Sequence, residues 1–259
     1  MKKEKLTIIK VGGKIVEDKS ALKRLLADFS TMDGKKLLVH GGGRSATALA
    51  ARLGIETKMV DGRRITDDAM LEVVVMVYGG FVNKRIVAGL QAIGVNAVGL
   101  TGADMDALLS VRRPAGKVDY GWVGDVRRVN ADAVSMLIEN GCCPVIAPIT
   151  HDGEGHLLNT NADTMAGETA KALAQRYEVE LVYCFEKAGV LSDGNDDNSV
   201  IKEINSCKYK ELKDSGVVSG GMIPKLDNAF ACISAGVSRV VITRADLIAD
   251  ADAGTKIVG

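Results

Sequence analysis

The amino-acid sequence predicts an α/β fold, and three observations carry that expectation. Short runs rich in β-branched residues alternate with amphipathic stretches of helical period, the order expected of parallel βαβ units. Several of these runs are almost continuously apolar, as strands become when helices cover both faces of a sheet. At 259 residues the chain can bury a sizeable core, as one α/β domain or two joined lobes.

In chain order, the candidate strands are residues 7–11, 36–40, 97–100, 144–149, 180–185 and 239–243. The candidate helices are residues 20–32, 45–53, 67–93, 130–140, 162–176 and 223–235. The third helix contains Val73-Val74-Val75-Met76-Val77, which alone reads as a strand. Thr66 as its cap, with Asp67 and Asp68 at the positive end of a helix dipole, decides for helix. Its length and Gly79-Gly80 predict a bend or a close helix contact. Residues 110–129, rich in glycine and charge, read as a β-hairpin or lid, and 193–199 as a surface loop. A lobe boundary is expected near residue 177.

Composition excludes several classes. The 33 basic and 33 acidic residues leave no basic excess for nucleic acid, and 4% aromatic content gives no platform for stacking bases. No run approaches the roughly 18 to 20 consecutive apolar residues of a membrane span. The first apolar run, Leu6-Thr7-Ile8-Ile9, is too short for a signal peptide, so a cytoplasmic location is expected. Five cysteines without a CxxC pair read as buried, reduced thiols. Three histidines are too few for a histidine-built metal site, and His151 and His156 share a polar loop. No protein-held metal is expected.

The chemistry gathers at glycine turns. The first strand ends Lys10-Val11-Gly12-Gly13-Lys14, where glycines admit an anion to the backbone and lysine adds charge; it lacks the Walker A spacing. The second ends His40-Gly41-Gly42-Gly43-Arg44, opening a helix whose free N–H groups and dipole suit an anion. That turn also fits GxGxxA through Gly41, Gly43 and Ala46, with Asp61 beyond it, so a dinucleotide turn is the rival reading. Arg63 and Arg64 offer guanidinium forks for a carboxylate. Asn159 and Asn161 offer donors and acceptors, and Asp163 serves either as a helix cap or in the site. Ser219-Gly220-Gly221 leads into a helix carrying Lys225.

Taken in order, these segments resemble the amino-acid kinase superfamily and, within it, the N-acetylglutamate kinases. The resemblance spans nearly the whole chain and rests also on Leu100-Thr101-Gly102-Ala103-Asp104, Val123-Gly124-Asp125, Ala147-Pro148-Ile149 and Gly254-Thr255-Lys256. It implies a three-layer αβα sandwich around a mainly parallel sheet, with an acyl-glutamate lobe at 1–177 and a nucleotide lobe at 178–259. It implies transfer of the γ-phosphoryl group of ATP to the γ-carboxylate of an N-acyl-L-glutamate in arginine biosynthesis. Lys10 and Lys225 are then the lysines facing the phosphoryl group, and Asp163 the carboxylate that organises them. Gly42, Gly43, Arg64 and Asn159 correspond to acceptor contacts. Gly12, Gly13, Glu186, Gly189 and Ser219 correspond to the nucleotide site, with Mg²⁺ carried by the ATP. Residues 67–93 are the expected surface of a homodimer. Acetyl is the family's usual acyl group, and succinyl is the alternative. Where relatives read Ser/Thr-Asp-Val, this chain departs with Cys184-Phe185-Glu186-Lys187.

Overall fold

A computed structural model describes residues 3–60, 62–250 and 252–259. Its main sheet has eight strands: β1 (Lys5–Val11), β2 (Lys35–His40), β3 (Ala97–Leu100), β4 (Cys143–Ile146), β5 (Glu178–Phe185), β6 (Glu203–Ile204), β7 (Arg239–Arg244) and β8 (Thr255–Ile257). They stand in the order β6-β8-β7-β5-β1-β2-β4-β3, and only β7 and β8 pair antiparallel.

The helices are α1 (Gly13–Glu17), α2 (Lys19–Thr31), α3 (Gly43–Arg52), α4 (Asp68–Gln91), α5 (Ala131–Glu139), α6 (Ala162–Leu173), α7 (Ser206–Asp214) and α8 (Met222–Ser234). Side chains alternate across the strands, so each strand feeds two cores. Ile8, Leu37 and Val39 join Met165 and Leu173 of α6 and Leu226 of α8. Ile9, Val11 and Leu38 join Leu25 and Phe29 of α2 and Val73 and Ile86 of α4. The result is the expected αβα sandwich.

Three expectations are corrected. The strand at 144–149 divides, because Pro148 has no N–H to continue a ladder. Cys143–Ile146 stays in the sheet, while Ile149–His151 joins Leu108–Arg112, Val123–Val129 and Leu157–Thr160 in a small closed barrel. The hairpin expected at 110–129 is present, as one of two antiparallel pairs within that barrel. Thr66 does not cap α4; Asp67 does, its carboxylate accepting the Met70 N–H at 2.9 Å. Of the thiols, Cys143, Cys184 and Cys232 are buried, but Cys207 is exposed and Cys142 half-buried.

The irregularity expected in α4 is a π-helical segment, Val75–Val82, spanning Gly79-Gly80. By length and apolarity α4 could cross a membrane, yet Val73, Val74, Val77, Val82 and Ile86 are buried in the core. Asp61, weighed as part of a dinucleotide turn, lies outside the described residues.

His40, at the end of β2, is fully buried, with Nδ1 against the Gly41 carbonyl at 2.8 Å and Nε2 against the Asn83 amide at 3.2 Å. A neutral ring that donates from Nδ1 and accepts at Nε2 satisfies both partners. Burial pushes its pKa down from 6.5 to about 4. The unfolded chain therefore takes a proton that the folded chain refuses across that window. His40's contribution is complete above the unfolded value and is lost as pH falls towards the folded one, on the order of 3 kcal/mol. Urea unfolding from about pH 7 down to about pH 4.5 should show a steeper loss for the wild type than for His40→Gln. Parallel curves would refute this account.

Candidate active site

The carboxyl ends of three parallel strands meet at β1. Val11 is in register with His40 of β2 on one side and Cys184 of β5 on the other. The chain leaves β1 first towards β2 and later returns to β5, so β1 is a topological switch point, where open α/β sheets bind ligands.

Two glycine turns leave these ends and pack backbone to backbone. A Cβ on Gly41 would lie 3.1 Å from the Gly13 nitrogen, and one on Gly13 would lie 3.4 Å from the Gly43 nitrogen. Gly42 is constrained differently: a Cβ there would sit 2.8 Å from the Tyr78 ring. Among the described residues no side chain caps α3, which leaves its first N–H groups available.

Three hollows adjoin along this edge. The first, 190 Å³, is lined by Gly42, Gly43, Arg64, Tyr78 and Asn159. The second, 470 Å³, is lined by Gly12, Gly13, Phe185, Glu186, Gly189 and Lys225. The third, 620 Å³, is lined by Asn161, Asp163, Tyr183 and Lys225. Gly43 borders the first and second, Lys225 the second and third, and Arg63 and Asn161 the first and third, so they form one cleft.

Cations dominate it. Lys10 is buried, and its ammonium lies 2.7 Å from Asp163 Oδ1. That contact is an ion pair without hydrogen-bond alignment, so Oδ1 keeps an unused acceptor direction. Asp163 does not cap α6. Asn161 does, accepting the Thr164 N–H at 3.0 Å, which leaves the Asp163 carboxylate to the lysines. Burial, above all, pushes the Lys225 pKa down; Asp163 pulls it back, Lys10 lowers it further, and Glu186 opposes.

Arg64 is also buried. Its guanidinium donates to the Gly43 carbonyl at 2.8 Å and to the Thr47 hydroxyl at 2.9 Å. Among the described residues no carboxylate lies within 4.0 Å of it. A buried cation without a counter-ion is unfavourable, and an anion in the first hollow would relieve it. Asn159 donates to the Thr66 hydroxyl at 3.0 Å, which in turn donates to the Arg64 carbonyl at 3.0 Å. Thr66 thus ties the two acceptor-side residues together.

Glu186 is exposed on the rim of the second hollow, 2.8 Å from Lys14, whose ammonium holds its carboxyl below the usual range. Gly189 lines the same hollow but also packs tightly, since a Cβ would meet Thr255 Oγ1 at 2.7 Å. Ser219 is not among the residues lining the three hollows. It is exposed in the turn before α8, its carbonyl accepting the Met222 N–H at 3.2 Å. The cluster Asp152, Glu154 and His156 lines none of the three. Tyr78 and Tyr183 were unmarked in the sequence, where each reads as a core aromatic.

The family model described as the amino acid kinase family matches residues 5–244. The chain belongs to this family. An acetylglutamate kinase of Phocaeicola vulgatus is 68% identical over 246 residues, covering 95% of this chain and 96% of that one. One from Cytophaga hutchinsonii is 53% identical over 257 residues, covering 99% and 97%. These identities place the chain among the acetylglutamate kinases. A crystal structure of a Streptococcus mutans protein superposes with a TM-score of 0.78 at 28% identity, covering 98% of each chain. The kinase family assignment removes the dinucleotide reading of the Gly41-Gly42-Gly43 turn.

The contact between Gly42 and Tyr78 is directly testable. Gly42→Ala must displace a buried ring and should cost about 1 to 3 kcal/mol of unfolding free energy. Adding Tyr78→Leu should recover part of that loss in thermal or urea unfolding, and a double variant no better than additive would count against the contact.

Proposed function

We propose that the protein phosphorylates the γ-carboxylate of N-acetyl-L-glutamate with ATP, a step of arginine biosynthesis. The observation that carries this reading is the convergence of Lys10, Lys225 and Asp163 where the hollows adjoin. The names of relatives at 68% and 53% identity favour acetyl over succinyl.

In this reading the acceptor occupies the first hollow, with its α-carboxylate on Arg64 and Asn159. ATP, bringing Mg²⁺ with it as part of the substrate, occupies the second, near Gly12, Gly13, Glu186, Gly189 and Ser219. Residues 1–177 then form the acceptor lobe and 178–259 the nucleotide lobe. A side-chain carboxyl with a pKa of about 4.3 is already ionised at neutral pH, so the nucleophile needs no general base. His40, the histidine nearest the glycine turns, is buried and depressed to about 4, which fits that economy.

A γ-carboxylate oxygen forms a bond to the γ-phosphorus, and the bond from that phosphorus to the bridging oxygen breaks. The electron pair leaves with ADP. Negative charge grows on the phosphoryl oxygens and the leaving oxygen, where Lys10, Lys225 and the N–H groups of Gly12, Gly13, Gly42 and Gly43 supply positive charge. Asp163 orients the ammonium groups and transfers no proton.

The same reading takes the protein as a cytoplasmic homodimer joined through α4. Met76 and Phe81 leave large apolar surfaces exposed there, at 51% and 63%. Sedimentation should give a dimer that Phe81→Glu weakens, and a monomeric wild type would reject the assembly.

Hydroxylamine trapping of the acyl phosphate, with N-acetylglutamate, N-succinylglutamate and glutamate in parallel, tests the reaction. Lys10→Ala and Lys225→Ala should each lower kcat by about 100-fold or more with small changes in KM. Arg64→Ala should chiefly raise the acceptor KM. Near-normal turnover in both lysine variants would remove the proposed roles.

A further inference from the structure

Phe185 is the last residue of β5. It lines the second hollow, and two cations converge on its ring. The Lys225 ammonium lies 3.6 Å from the ring centroid and the Lys10 ammonium 5.3 Å from it. Both distances fall within the roughly 6 Å reach of a cation–π contact.

The ring's surroundings fix its position. Residues two apart on a strand share a face, and Tyr183 stacks on Phe185 with centroids 6.0 Å apart and planes at 8°. The Tyr183 hydroxyl donates to the Asp163 backbone carbonyl at 3.2 Å, tying β5 to the first turn of α6. The column Tyr183–Phe185 therefore touches all three groups of the candidate transfer site: the Asp163 backbone by hydrogen bond, and both lysines by the ring.

The ring supplies a partner that the nearby carboxylates do not. Asp163 is engaged by Lys10, and Glu186 by Lys14. Among the described residues Lys225 has no carboxylate within 4.0 Å, and it shares its surroundings with a second ammonium group. Without a partner, a half-buried, flexible lysine would swing towards water. A carboxylate at position 185 would hold it but would cancel the charge that a phosphoryl group needs.

We infer that Phe185 is a positioning residue for phosphoryl transfer, its ring face holding the Lys225 ammonium, and more loosely that of Lys10, in the cleft without neutralising either. The ring covers one side of the ammonium and leaves N–H groups on the other for phosphoryl oxygens. This inference rests on the kinase reading for its catalytic consequence, but the contact itself does not.

The test replaces Phe185 with phenylalanine analogues carrying one, two and three ring fluorines. These weaken the ring's negative face at nearly constant shape, so folding is preserved. Turnover of N-acetylglutamate should fall stepwise, to about one fifth at three fluorines, with the acceptor KM unchanged. In parallel, NMR of lysines labelled at Cε should show a Lys225 signal shifted upfield by the ring current, assigned by its loss in Lys225→Gln. Its pKa should drop along the fluorine series. The charges facing Lys225 are Lys10 from β1, Asp163 from α6 and Glu186 beyond β5, and the series alters none of them. A flat kcat series, or a Lys225 signal indifferent to ring fluorination, would overturn the inference. An unsubstituted protein that forms no acyl phosphate would instead refute the kinase reading, and the NMR titration would still decide the contact.

Discussion

At the carboxyl end of β1 the protein gathers more positive charge than it neutralises. Lys10 has Asp163, but Arg64 and Lys225 are wholly or partly withdrawn from water without a carboxylate within ion-pair distance among the described residues. Buried unpaired cations destabilise a fold, so their environment has to hold them by other means. Arg64 is held by a backbone carbonyl and two threonine hydroxyls, and Lys225 by an aromatic face. These partners fix geometry while leaving net charge in place, which is what an anion-binding cleft requires.

The surrounding architecture follows from bringing that charge to one spot. Lys10 comes from β1, Asp163 from α6, Lys225 from α8 and Arg64 from a two-stranded ribbon, Met59–Val60 with Arg63–Arg64. They converge because β1 lies between β2 and β5 in register, and because two glycine turns approach within ordinary side-chain distance. Any side chain at Gly41 or Gly42 would spread those turns or push Tyr78 away. The glycines thus serve close approach rather than unusual dihedral angles, since Gly42 has an extended φ of 172°.

Much of this was legible in the residues. Strand and helix alternation was clear where apolar runs were long, as in β1, β2, β5, α2 and α4. Among the hidden elements, β6, β8 and the ribbon hold two or three residues each, too few for any periodicity. The nine-residue α7 buries only Leu212, so no apolar stripe marks it. The divided strand after β4 was hidden too, because Ala147-Pro148-Ile149 continues an apolar run while Pro148 ends its ladder. The choice of Thr66 over Asp67 as the cap of α4 was a local ambiguity, as both residue types cap helices well. Tertiary contact resolved it, since the Thr66 hydroxyl is engaged by Asn159 and by the Arg64 carbonyl.

The sequence by itself determined the α/β class, the glycine turns, and, through their order with Lys10, Asp163 and Lys225, the resemblance to a kinase family. These are properties of type and spacing, and both survive in one dimension. Only the tertiary structure decided which groups are paired and which are left open. It assigned the cap of α6 to Asn161 and thereby freed Asp163. It set Tyr78 against Gly42 and placed Phe185 beneath Lys225, while leaving Ser219 outside the lining of the three hollows. The cap is a local choice between neighbouring residues. The contacts of Asp163 with Lys10, of Tyr78 with Gly42 and of Phe185 with Lys225 instead join residues tens of positions apart. They exist only once the sheet's register brings the strand ends together.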